Sequence, residues 1–183
     1  SLNISKKQIE KKLAYLIPSE QYSNFALSKI KKNIILVLGA SFLSKRYPVE
    51  QFAELTNLLD ANYLIIWGTE DEKYIANSLK KLAPNVSICD KLSLGGLISL
   101  VAKVDLIIGP DTGPTHMGWA LNIPSITLFG PTPGNRNSYV TKINHIIESK
   151  SEVNPRKINK NDNSIREIRP IEIIKLSEEI LNK

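Results

Sequence analysis

The segment Val104-Asp-Leu-Ile-Ile-Gly-Pro-Asp-Thr-Gly-Pro-Thr-His116 runs from an apolar stretch into a loop of glycine, proline and threonine. Residues 104–108 have the length and β-branched content of a strand that is buried on both faces. Residues 115–121 have the composition of a short helix, and Thr115 suits its N-cap position. The segment therefore predicts the strand, loop and helix order that builds parallel α/β sheets.

The same alternation of apolar and amphipathic stretches continues on both sides of this segment. The predicted strands are Ile34–Leu38, Tyr63–Trp67, Val86–Cys89, Val104–Ile108, Ser125–Phe129 and Ile143–Glu148. The predicted helices include Val49–Leu59, Leu94–Ala102, Thr115–Leu121 and Ile171–Leu181. Since helices separate strands that lack polar alternation, we predict a doubly wound parallel α/β sheet of the Rossmann-like type.

The chain of 183 residues is long enough for one full-sized domain and additional chain. We assign residues 1–32 to a basic helix and linker, 33–150 to the α/β domain, and 151–183 to a loop and closing helix. Because Met117 is the only methionine, we expect either removal of an initiator methionine or excision from a larger protein.

Composition excludes several classes of protein. No apolar run approaches the length of a membrane span, and the first residues lack the apolar core of a signal peptide. We expect the cytoplasm, with the inner-membrane surface as a second option, and no nucleic-acid partner. The net charge of +6 indicates a solvated basic face, or else attraction to anionic lipid or phosphorylated acceptors. Cys89 is the only cysteine, and we interpret it as a small buried hydrophobe.

Five loops that follow predicted strands are rich in glycine, proline or polar residues. They cover residues 39–48, 68–72, 90–92, 109–116 and 130–136. In open parallel sheets, ligands bind outside the carboxyl ends of the strands. We therefore expect these loops to form one rim and one binding cleft.

The loop at 109–116 is predicted to bind phosphate. Its glycines allow close approach of the backbone, and Thr112 and Thr115 supply hydroxyl groups. The helix that follows presents free N–H groups to an anion, and Lys45 and Arg46 would add positive charge. An ordinary tight turn before a capped helix is the alternative.

Three further side chains on this rim have two interpretations each. Asp111 either accepts hydrogen bonds from sugar hydroxyls or closes an Asx-turn. His116 either contacts a ligand or is a helix-start histidine. Glu72 either stabilises a helix dipole or holds ribose hydroxyls at the end of the second strand.

The chain lacks the P-loop pattern, the dinucleotide-binding glycine pattern and a serine nucleophile elbow. Their absence disfavours P-loop NTPases, dehydrogenases and serine hydrolases. With two histidines and no D-x-D pair on a loop between strands, we expect no metal and no cofactor.

Four ordered motifs resemble the ADP-heptose:lipopolysaccharide heptosyltransferases, glycosyltransferase family nine. Asp111-Thr-Gly-Pro-Thr-His116 is similar to the family loop Asp-[Ser/Thr]-Gly-x-x-His, and a strand closed by Phe129-Gly-Pro-Thr132 follows it. The other matching stretches are Lys45-Arg-Tyr-Pro48, Trp67-Gly68 with acidic residues after it, and Lys91-Leu-Ser-Leu94.

The resemblance implies the carboxyl-terminal, donor-binding half of an inverting GT-B glycosyltransferase. The general base and the acceptor site would belong to the amino-terminal half, so no catalytic residue is expected in this chain. The run Thr132-Pro-Gly-Asn-Arg136 resembles the first-heptose transferases, which implies Kdo-lipid A as acceptor. We expect this chain alone to bind ADP or ADP-heptose without transferring sugar.

The resemblance also assigns residues to the donor. The residues implied at ADP-heptose are Lys45, Glu72, Leu92, Asp111, Thr112, Gly113, Thr115 and His116. Lys45, Thr112 and the Gly113 backbone would bind the diphosphate. Glu72 would hold the ribose, and Leu92 would pack near the adenine. Asp111 is implied at the heptose.

Two functions of the protein other than glycosyl transfer remain as alternatives. One is a nucleotide-sugar epimerase of similar architecture. The other is a non-catalytic, flavodoxin-like nucleotide-binding module. Binding of ADP in preference to UDP or FMN would discriminate between them.

Overall fold

The computed structural model describes residues 25–151, 153–154 and 158–182, which contain a six-stranded parallel sheet. The basic helix predicted before Pro18 lies outside the described residues. The strands are β1 (Asn33–Val37), β2 (Asn62–Ile66), β3 (Val86–Ile88), β4 (Leu106–Pro110), β5 (Ser125–Phe129) and β6 (Asn144–Glu148). The α-helices are α1 (Val49–Leu58), α2 (Glu70–Leu82), α3 (Leu94–Val101), α4 (Gly113–Ala120), α5 (Gly134–Asn137) and α6 (Pro170–Leu181). Short 3-10 helices cover Leu43–Lys45 and Ser164–Glu167.

The strand order is β3-β2-β1-β4-β5-β6, and all neighbouring pairs are parallel. The first three strands progress toward one edge, and β4 then returns to pair with β1 before the chain progresses toward the other edge. This reversal places a crevice between the loops that follow β1 and β4. The doubly wound fold predicted from the sequence is confirmed.

Alternate residues of β1 face the two sides of the sheet. Ile34 and Leu36 pack in a cluster with side chains of α1, α2 and α6. Ile35 and Val37 pack in a second cluster, which includes side chains of α3. Because helices cover both faces, every residue of this strand is buried, which explains its unbroken apolar sequence.

The closing helix α6 packs against α1. Just before α6, the Ile168 carbonyl accepts a 2.8 Å hydrogen bond from the buried hydroxyl of Tyr47. Burial raises the pKa of Tyr47 well above its usual value, so this hydroxyl stays a donor. The contact joins the carboxyl-terminal segment to the loop after β1.

The domain boundary at residue 150 remains a prediction.

The predicted start of α4 at Thr115 is wrong. The helix begins at Gly113, with Thr112 in the N-cap position and a proline in the first turn. Proline suits this place because its fixed φ angle matches a helix and its missing N–H has no partner to lose there.

No helix among the described residues is long and apolar enough to cross a membrane.

Candidate functional site

A pocket of about 400 Å³ opens at the carboxyl ends of the central strands. The loops after β1, β2, β3 and β4 all contribute to its wall. The predicted donor residues that line it are Glu72, Leu92, Asp111, Thr112 and Gly113. The sequence-based expectation of one shared cleft is therefore confirmed for these four loops.

One end of the pocket is apolar. Trp67 and Leu97 line it beside Leu92, and the indole Nε1 of Trp67 donates a 2.7 Å hydrogen bond to the Cys89 carbonyl. The ammonium of Lys73 lies 4.7 Å from the centre of the Trp67 ring, which holds the ring further. This end offers fixed apolar surface to a planar ligand group. The sequence had marked Trp67 only as part of a family motif.

The carboxylate of Glu72 reaches back over the start of α2. Its Oε2 atom accepts hydrogen bonds from the N–H groups of Gly68 (2.7 Å) and Thr69 (3.2 Å). The Thr69 hydroxyl in turn accepts from the Glu72 N–H, which completes a capping box. A Cβ at Gly39 would overlap Glu72 Oε1, so a glycine there leaves room for the carboxylate at the pocket. Glu72 lies in the first turn of α2, where the helix-dipole interpretation placed it, and it also caps the helix by hydrogen bonds; its ribose role stays a prediction.

The start of α4 differs from the starts of the two preceding helices. Thr69 caps α2 and Ser93 caps α3 with their side-chain oxygens, at 3.2 and 3.1 Å. Thr112 makes no such bond to the first turn of α4. Gly113 is exposed, and a Cβ built there would meet nothing within 4 Å. The Gly113 N–H is thus open to an anion in the pocket, whereas the next residue of α4, Pro114, has no N–H to offer.

A buried cluster surrounds Asp111 at the other end of the pocket. Its Oδ2 atom accepts hydrogen bonds from Lys45 Nζ (2.8 Å), the Thr132 hydroxyl (3.3 Å) and Asn137 Nδ2 (3.3 Å). The Nε2 atom of His116 lies 3.0 Å from Oδ1, although its geometry falls short of a well-aligned hydrogen bond. The fifth loop, which follows β5, therefore joins the site through Asp111.

Asp111 is ionised at neutral pH. Burial by itself raises the pKa of this carboxyl, but the contacts with His116 and Lys45 outweigh burial and lower the pKa to about 2. Asp111 and His116 contact each other, and the sugar role of Asp111 and the ligand role of His116 stay predictions. No sequence pattern had indicated the contacts of Thr132, in the loop after β5, and of Asn137, at the end of the four-residue helix α5.

Two predicted phosphate-binding residues point elsewhere. Arg46 forms a 2.7 Å ion pair with Asp71 and lines a separate cleft, so its expected place beside the phosphate loop is wrong. The side chain of Thr115 is fully buried, and its Oγ1 lies 3.4 Å from Thr112 Oγ1. Thr115 is suited to support Thr112, since burial keeps it from the ligand. Lys45, with 8% of its surface exposed, is paired with Asp111 and is not among the residues that line the pocket, so its contact with the diphosphate stays a prediction.

Within the part of the chain that the structure describes, no three His, Cys, Asp or Glu side chains come close enough together to hold a metal ion. Metal independence remains a prediction.

The sequence profile of glycosyltransferase family 9 (heptosyltransferase) matches residues 1–164. The chain belongs to this family. It is 36% identical over 182 residues to lipopolysaccharide heptosyltransferase 1 of Campylobacter coli, a match that covers 94% of this chain and 52% of that protein. It is 34% identical over 99 residues to lipopolysaccharide heptosyltransferase 1 of Escherichia coli K12, covering 52% of this chain and 31% of that protein. The family 9 chain thus spans about half the length of the first of these relatives.

Solved structures share the fold of this family 9 chain. Escherichia coli heptosyltransferase WaaC with ADP superimposes with a TM-score of 0.71 at 22% identity, covering 84% of this chain and 46% of that one. UDP-GlcNAc 2-epimerase of Methanocaldococcus jannaschii gives a TM-score of 0.57 at 18% identity, covering 83% and 39%. The lower fold similarity and the family match do not favour the epimerase alternative.

Proposed function

We propose that this family 9 chain is the donor-binding half of a heptosyltransferase that transfers heptose from ADP-heptose in lipopolysaccharide biosynthesis. The observation that carries the proposal is the uncapped start of α4, which opens into the pocket beside the buried Lys45 and Asp111 pair. Helix N–H groups and a nearby ammonium are the partners that a diphosphate requires.

The rest of the pocket fits the rest of the donor. The apolar end at Leu92 and Trp67 suits an adenine ring, and Glu72 lies between it and the phosphate loop, where a ribose would sit. Asp111 belongs to the phosphate loop, contacts Thr132 and Asn137, and would accept hydrogen bonds from heptose hydroxyls. The relative WaaC has been solved with ADP and with ADP-2-deoxy-2-fluoro heptose, which supports the same donor for this chain.

The chemistry that the chain would supply is stabilisation of the leaving diphosphate. As the bond from heptose to phosphate breaks, negative charge grows on the phosphate oxygens, and the N–H groups of α4 and Lys45 would stabilise it. Their positive charge makes a metal ion unnecessary in this proposal. Inversion at the anomeric carbon needs an acceptor hydroxyl and a base on the opposite face of the sugar. We assign both, with Kdo-lipid A as acceptor at the membrane surface, to the opposing half of the whole enzyme.

Calorimetric titration of residues 1–183 with ADP, UDP and FMN tests the donor assignment. We expect ADP to bind more tightly than UDP or FMN, and EDTA to leave the ADP affinity unchanged, because no metal takes part. Preference for UDP would favour the epimerase-like alternative, and preference for FMN the flavodoxin-like one. A strict requirement for Mg²⁺ would overturn the metal-free binding of the diphosphate.

A further inference from the structure

We infer that Asn137 is a positioning residue that holds Asp111 in the orientation needed to bind the sugar of the donor. The inference rests on the proposed function, since that proposal places Asp111 at the heptose. It concerns a residue outside the four motifs that led to the family.

Asn137 approaches Asp111 in one definite orientation. Its side-chain nitrogen Nδ2 donates to Asp111 Oδ2 at 3.3 Å, while its oxygen Oδ1 accepts from Arg136 Nε at 3.4 Å. A guanidinium can only donate, so it selects the amide oxygen and turns the amide nitrogen toward the carboxylate. Asp111 is buried, so its carboxylate depends on such fixed donors in place of water.

The short helix α5 that carries Asn137 is itself held in place. At its start, the Gly134 N–H donates a 2.7 Å hydrogen bond to Glu148 Oε1 at the end of β6. A Cβ on Gly134 would lie 2.9 Å from Ile146 Cδ1, so the helix start packs closely on this strand. Contacts at the start of α5 therefore anchor the helix that carries Asn137 to β6, at the edge of the sheet.

The partners of Asp111 differ in how a bound diphosphate would affect them. Lys45 donates to Asp111 at 2.8 Å, and in the proposed function it also serves the diphosphate. If Lys45 interacts with the diphosphate as well as with Asp111, its hydrogen bond to the Asp111 carboxylate becomes weaker. Asn137 and Thr132 are neutral donors, so the diphosphate does not compete strongly for them. Asn137 would then keep Asp111 oriented toward the sugar while Lys45 is shared.

The test compares the affinities of ADP and ADP-heptose by calorimetric titration of residues 1–183. The variants are Asn137→Ala, which removes the donor, and Asn137→Asp, which keeps the shape but places an acceptor against Asp111. The matched controls are Asn135→Ala and Asn135→Asp, because Asn135 is exposed on the same short helix.

We expect the wild-type chain to prefer ADP-heptose over ADP. Asn137→Ala should reduce this preference by about three- to tenfold, the effect of losing one net hydrogen bond, and change ADP affinity by no more than about twofold. Asn137→Asp should reduce the preference further, and neither Asn135 variant should change it. A purely structural role would instead weaken ADP and ADP-heptose equally.

Two results would overturn the inference in distinguishable ways. If the wild type prefers ADP-heptose and both Asn137 variants keep the full preference, Asn137 does not position Asp111, and the proposed function stands. If the wild type binds ADP but shows no preference for ADP-heptose, Asp111 does not serve the sugar, and that part of the proposed function fails together with the inference.

Discussion

Lys45 is the residue on which the electrostatics of the site depend, because it faces Asp111 and, in the proposed complex, the diphosphate. We expect Lys45→Ala to weaken ADP binding by about 1.5–3 kcal/mol, the value of a hydrogen bond to a charged group. Adenosine carries no phosphate, so its affinity should change much less. Titration with both ligands measures the difference.

Lys175→Ala, on the exposed side of α6, is the control and should bind ADP as the wild type does. An equal loss for both ligands would contradict the assignment.

The lowered pKa of Asp111 predicts a pH dependence of stability. The carboxyl titrates near 2 in the folded protein and near 3.8 ordinarily, so the unfolded chain binds the proton more readily. Its stabilising contribution is therefore complete above pH about 4 and is lost as the pH falls through about 2.

As the pH falls from about 4 to about 2, we expect the free energy of unfolding of the wild type to fall by about 2 kcal/mol more than that of Asp111→Asn. Urea denaturation at a series of pH values measures both curves. Parallel curves would show that Asp111 is not stabilised in its ionised form.

At the scale of the elements, the first residues of α2 and α4 are expected to have different roles, one in the stability of the fold and the other in the binding of ADP. Thr69→Ala removes a cap from α2 and should lower the free energy of unfolding by about 1 kcal/mol. Thr112→Ala removes no cap from α4, so it should cost less stability but should weaken ADP binding, because Thr112 lines the pocket in which we propose that the diphosphate binds. Thermal denaturation and ADP titration of both variants test this. The hypothesis fails if Thr112→Ala destabilises the protein as much as Thr69→Ala and leaves ADP affinity intact.

At the scale of the whole molecule, we propose that this chain binds the donor and does not carry out the transfer step by itself. The two carboxylates that line the described pocket are both engaged: donors enclose Asp111, and Glu72 caps α2. We therefore expect residues 1–183 to bind ADP-heptose without transferring heptose to Kdo-lipid A.

Fusion to the amino-terminal half of the Campylobacter coli relative should produce turnover, measured as release of ADP. The unfused chain and a fusion that carries Lys45→Ala are the controls. Heptose transfer by the unfused chain would show that its own residues include a base.

The sequence by itself determined the succession of strands and helices, because each buried strand needs a local apolar run and each helix a local amphipathic one. It also placed Glu72, Leu92 and the loop at 109–116 on one rim, since parallel strands bring their carboxyl ends to the same edge. The family followed from short motifs whose order along the chain is visible without a structure.

Only the tertiary structure decided which side chains meet. Lys45 and Arg46 are neighbours in sequence, yet the 3-10 helix ends between them and directs one to Asp111 and the other to Asp71. The partners of Asp111 come from 66, 21 and 26 residues away, so no local periodicity marks them. Burial, and with it the pKa of Asp111, depends on several loops packing together, which is a property of the folded chain and not of any single segment.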